Sequence, residues 1–199
     1  MENRSYNPYV TERIRRFDGA LAGVCYSAPF MHCEQESTTT LNGCNIISLH
    51  NQLPDAPELI IIPLTGNNLL RFLQAPDNYS CLQNENVQLA INYADLVQQD
   101  SALRQAAERF SFWLYDLAPP GTCWKNIATF PFRGIVLTDE FFNDNYLKFS
   151  FPFLLESCRE REAEVILRTQ QLTLPAEHYA QLNLSGWQQQ RTSSRLLEG

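Results

Sequence analysis

Five residues in one stretch, Cys25, His32, Cys33, Cys44 and His50, are of the types that bind zinc, because thiolate and imidazole are its preferred ligands. Their spacing argues against a metal site. Structural zinc sites present close C-x2-4-C pairs so that one turn fixes two ligands, whereas these three thiols stand eight and eleven positions apart. No metal is therefore expected. The order Cys25, His178, Asn183 also permits a thiol hydrolase or transferase, with sulfur as nucleophile, imidazole as base and the amide orienting the ring. An activated thiolate is commonly favoured by a helix N-terminus, and Pro29, four residues on, lacks an N–H that such a helix needs. The chain contains no G-x-G-x-x-G, no G-x-x-x-x-G-K-[ST], no G-x-S-x-G and no H-E-x-x-H. The pair Asp139-Glu140 and the run Glu160, Glu162, Glu164 read as solvated faces. No cofactor is expected.

The aromatic residues are the other chemical resource: twelve Phe, eight Tyr and three Trp in 199 residues, more than a core of this size requires. Phe141, Phe142, Tyr146, Phe149 and Phe151, with Trp187 as an outlier, stand in or beside polar segments, and aromatics are favoured anchors at protein interfaces. A net charge of -7 repels nucleic acid. The densest basic group, Arg13, Arg15 and Arg16, is flanked by Glu12 and Asp18. A protein partner with a basic surface fits this balance, and a homo-oligomer is compatible with it.

The length implies one domain with enough apolar surface for a core, and no run approaches a membrane span. The N-terminal segment lacks the apolar region of a secretory signal, which places the chain in the cytoplasm and its six cysteines in the reduced state.

These residues need a scaffold, and the pattern predicts one of α+β class: antiparallel hairpins flanking a central pair of helices. A short helix is expected over 11–17 and a strand over 20–27. Asn42-Gly43 is read as a type I′ turn joining strands 38–41 and 44–49. The run 58–64 reads as a strand ending near Pro63, and 65–73 as a short helix. Val87, Ala90, Ile91, Ala94 and Val97 share one helical face, and so do Leu103, Ala106, Ala107, Phe110, Trp113, Leu114 and Leu117; these give the helical pair. Strands are expected over 132–137 and 146–151, the second presenting Phe149, Phe151 and Phe153 on one face. A capping box at Ser157 and Glu160 predicts a helix through Leu167, with a last short helix after Pro175. Residues 1–185 form the single domain and 186–199 a polar tail.

The functional expectation is a non-catalytic cytoplasmic protein-binding protein: an adaptor, a chaperone-like or assembly subunit, or an immunity-type inhibitor. The alternative is a small cysteine-dependent hydrolase or transferase using Cys25 and His178.

Overall fold

From Leu21 onward strand and helix alternate, and that alternation decides the architecture. The computed structural model describes residues 9–27, 43–53, 55–115, 117 and 121–191. The strands are β1 (Val10–Arg15), β2 (Leu21–Ser27), β3 (Leu59–Pro63), β4 (Val87–Asn92), β5 (Ser111–Tyr115), β6 (Phe132–Thr138), β7 (Glu164–Thr169) and β8 (Gly186–Gln189). Between them lie α1 (Gly43–His50), α2 (Gly66–Gln74), a 3-10 helix (Pro76–Leu82), α3 (Tyr93–Gln98), α4 (Asp100–Ala106), α5 (Trp124–Thr129), α6 (Asp139–Asn145), α7 (Phe151–Arg159) and α8 (Ala176–Gln181).

Strands β2 to β8 pair in parallel in chain order. β1 lies between β2 and β8, antiparallel to both, and closes the ring. Because side chains alternate along a strand, each strand serves two cores. Val24, Ile60, Leu89, Leu114, Leu137 and Leu167 face outward under the helices, whereas Ile14, Cys25, Ile61, Ala90, Trp113, Val136 and Ile166 fill the barrel interior. The α+β arrangement of antiparallel hairpins is therefore corrected to a closed, almost wholly parallel eight-stranded barrel.

Two of the individual corrections share one physical cause. A strand buried on both faces shows no polar alternation, so Val87–Asn92, buried along nearly its whole length, imitates a helical stripe when α3 follows it directly. In the same way 103–117 is the end of α4 followed by β5. The helix over 11–17 is β1, and the helix through Leu167 is β7, preceded by α7. The expected strand 146–151 is a turn leading into α7, which takes Pro152 in its first turn, where a missing N–H costs nothing. Gly43 opens α1 instead of closing a hairpin, and the proposed strand 38–41 lies outside the described residues. β2, β3, α2, β6 and α8 form where expected. The barrel continues past residue 185: β8 lies in the segment read as a tail. No helix among the described residues is long and apolar enough to cross a membrane.

Cys44 and Cys81 form a disulfide tying α1 to the 3-10 helix, with 37 residues of separation, which corrects the expectation of reduced thiols at these two positions. The bond closes a loop that contains β3 and α2. Its reduction is expected to cost about 2–4 kcal/mol. Urea unfolding with and without dithiothreitol measures this, and coincident curves would contradict it.

The barrel mouth as candidate functional site

Since β1 runs against the other strands, its N-terminal half meets the C-terminal end of β2, while Ile14 and Arg15 further along pair with Gln188 and Trp187 of β8. Three inward residues thereby converge: Glu12 from β1, Arg168 from the end of β7 and Gln188 from β8. Glu12 is buried and Arg168 half-buried. The carboxylate is fully engaged. Its Oε2 accepts from Arg168 Nε at 2.9 Å and from Gln188 Nε2 at 2.6 Å, and its Oε1 from Arg168 Nη2 at 3.0 Å and the Arg191 backbone N–H at 3.4 Å. Burial by itself would raise the Glu12 pKa. Hydrogen bonds from Arg168 and Gln188, the guanidinium charge and the Arg191 N–H outweigh that and hold it below the ordinary value.

Gln188 extends the network. Its Oε1 accepts from the Tyr115 hydroxyl, which lies 3.3 Å from Cys25 Sγ. Both of these groups are kept neutral: burial pushes the Cys25 thiol up to about 12, and it drives Tyr115 well above the ordinary tyrosine range. Two further mouth positions serve the helices that follow them. Asn92 accepts from the Asp95 N–H at 2.7 Å to cap α3, and Thr138 accepts from the Phe141 N–H at 3.0 Å to cap α6. Asp95 accepts from the Gly66 backbone, which links the β3–α2 and β4–α3 turns, and burial raises its pKa. Around Glu12 the mouth thus presents a closed polar network with no thiolate, whereas the neighbouring Asp95 keeps its buried Oδ2 without a hydrogen-bond partner among the described residues.

The residues singled out by type fall elsewhere. Cys25 is inside the barrel with a tyrosine hydroxyl for a neighbour, while His178 is exposed on α8, so the cysteine hydrolase loses its nucleophile and its base together. Cys44 is in the disulfide, and His32 and Cys33 lie outside the described residues. His50 is buried and fully used: Nε2 donates to the Pro57 carbonyl at 2.8 Å, so Nδ1 at 2.9 Å accepts from the Tyr26 hydroxyl. Among the described residues no group of three His, Cys, Asp or Glu could hold a metal ion. Of the six aromatic residues, Phe142 and Phe151 are core residues. Phe141, Tyr146 and Trp187 are half-buried against that core. Phe149, at 87% exposure, is the one that stands out in solvent. Five of the six cluster around α6 and α7, and Trp187 is on β8.

The network residues were open to one sequence signal. Arg168 ends the apolar run of β7, and a charged residue closing a buried parallel strand marks the mouth of a barrel.

No protein-family model matches the chain, and no curated protein matches it. Solved structures do. PaMucR phosphodiesterase in complex with c-di-GMP aligns with a TM-score of 0.66 at 12% identity, over 92% of this chain and 89% of that one. The EAL-like domain protein YdiV aligns with a TM-score of 0.60 at 15% identity, over 91% and 89%. Klebsiella pneumoniae BlrP1, in a manganese and c-di-GMP complex, aligns with a TM-score of 0.69 at 12% identity, over 94% of this chain and 56% of that larger one. The reading as an adaptor, chaperone-like subunit or inhibitor does not survive this comparison. It rested on absent catalytic motifs, acidic charge and aromatic residues assigned to polar segments, of which Phe142 and Phe151 are core residues, and the chains sharing the barrel include a phosphodiesterase. What these likenesses establish is the fold: the chain shares its closed eight-stranded barrel with these proteins.

Proposed function

We propose that this chain is an EAL-like barrel that binds a cyclic dinucleotide at its mouth without a divalent metal. The reading is supported by the shared fold and by the ligand of several of its neighbours, PaMucR and BlrP1 among them. Barrels of this kind place their ligands at the C-terminal ends of the parallel strands. In this chain those ends bring a guanidinium, an amide and a phenol together. Arg168 gives Nε and Nη2 to Glu12, so a phosphodiester would be met by exchanging that carboxylate for the ligand's own oxygens.

The observation that carries the metal-free part is the saturation of Glu12. BlrP1 and the Bacillus subtilis YkuI protein are described with manganese and with calcium, and such ions take several oxygen ligands, carboxylates prominent among them. Glu12 gives both of its oxygens to N–H donors, and its charge is met by Arg168. The described residues do not fit a metal centre, so no hydrolytic step follows from them.

Calorimetric titration with c-di-GMP, once in EDTA and once with manganese, tests the reading. Saturable binding of one ligand per mouth in EDTA, unchanged by manganese and without a linear dinucleotide product, supports it. Absence of binding under both conditions, or metal-dependent hydrolysis, overturns it.

A further inference from the structure

A groove of about 470 Å³ runs along the outside of the barrel between α5 on one side and α6 and α7 on the other. Its volume falls within the roughly 300–1,000 Å³ of small-molecule sites. Trp124, Ile127, Phe141, Phe151 and Leu154 give it an apolar lining, and Phe153 stands at its rim with 63% exposure. The Phe149 ring lies against Phe153 at 5.2 Å, extending the aromatic rim.

One charged group enters this lining, Arg161. Its Nε donates to the Ser157 carbonyl at 2.9 Å, which orients the guanidinium. The neighbouring carboxylates are directed elsewhere: Glu156 pairs with Arg159, and Glu162 faces Arg133 at 4.0 Å. Among the described residues Arg161 forms no ion pair. An apolar trough ending on a cation without a counter-charge is complementary to a molecule with an apolar body and one acidic end.

We propose that this groove binds an amphipathic monoanion, an acyl or aromatic body carrying a single carboxylate. The body lies along Phe141, Phe151 and Leu154, and the acid meets Arg161. None of these residues belongs to the Glu12, Arg168 and Gln188 network, so the site is independent of ligand binding at the mouth.

Decanoate, kept below its micelle concentration, and the neutral analogue decanol are the probes, titrated calorimetrically into the full chain. Decanoate should bind saturably at one per chain. Arg161→Gln should weaken decanoate ten- to hundredfold, the range for a charge-assisted hydrogen bond, and leave decanol unchanged. Leu154→Trp should abolish binding of both by filling the trough, and Phe153→Glu at the exposed rim gives the same readout if the tryptophan variant fails to fold. Non-saturable uptake, or equal affinities for wild type and Arg161→Gln, overturns the proposal. So does a sedimentation result in which the wild type is a dimer that Phe153→Glu dissociates, because the groove then belongs to a second copy of the chain.

Discussion

Arg168→Ala is expected to destabilise the barrel by about 3 kcal/mol, at the lower end of the roughly 3–5 kcal/mol for breaking a buried ion pair, since the side chain keeps 27% of its surface exposed. The loss comes from what the substitution leaves behind. Glu12, at 11% side-chain exposure, would keep its charge with only the Gln188 amide and the Arg191 N–H to solvate it. Glu12→Leu combined with Arg168→Met removes both charges and should be much milder than the single change. The acid dependence of stability follows from the same pair. The Glu12 pKa is lower in the folded state than its ordinary value of 4.5, so the unfolded chain takes up the proton first. Its stabilising contribution is complete above about pH 5 and is lost as pH falls through the folded value. Urea unfolding between pH 3 and pH 7 should show this loss in wild type, with a shallower slope in Glu12→Gln. A cost below about 1 kcal/mol for Arg168→Ala would place the pair among solvent-screened surface bridges and contradict this account.

Trp113→Ala is expected to cost about 3–5 kcal/mol, the range for emptying the space of a large core aromatic. Trp113 is buried inside the barrel, where the strand ring prevents neighbouring elements from collapsing into the void. Its neighbour on the adjacent strand β6 is Gly134. A Cβ at Gly134 would stand 2.2–2.6 Å from three atoms of the indole ring, so the absence of a side chain there is a packing requirement. Gly134→Ala should therefore cost about 1–3 kcal/mol by overpacking. Trp113→Leu combined with Gly134→Ala should cost clearly less than the sum of its parts, because each change relieves the fault of the other. Agreement with additivity within about 0.5 kcal/mol would show that the two sites do not share this space.

Particular residues show how far this architecture was legible. Glu58–Leu64 and Phe132–Leu137 were readable as strands because prolines and polar residues bound short apolar runs. The block 87–98 was not, because Asn92 ends a strand buried on both faces and caps a helix in the same step, leaving no polar break between two periodicities. Ring closure had no local signal at all. It depends on Ile14 and Arg15 pairing with Gln188 and Trp187, at the opposite end of the chain. The site shared that fate. Cys25 was visible by type but had the wrong chemistry assigned to it, since only the fold places it beside Tyr115 under a desolvation that keeps its thiol protonated. Glu12 read as a charge flanking a basic cluster until β1 turned it inward against Arg168, 156 positions away.

Glu12 is committed to Arg168 and Gln188, which leaves it unavailable to a metal. Titration of the purified, EDTA-treated chain with manganese, followed by electron paramagnetic resonance of the free ion, measures this directly. The expected result is a free-ion signal that rises in proportion to added manganese up to millimolar concentration, identical for wild type and Glu12→Gln. Stoichiometric uptake by the wild type that Glu12→Gln abolishes would contradict the account and restore a metal centre to the barrel mouth.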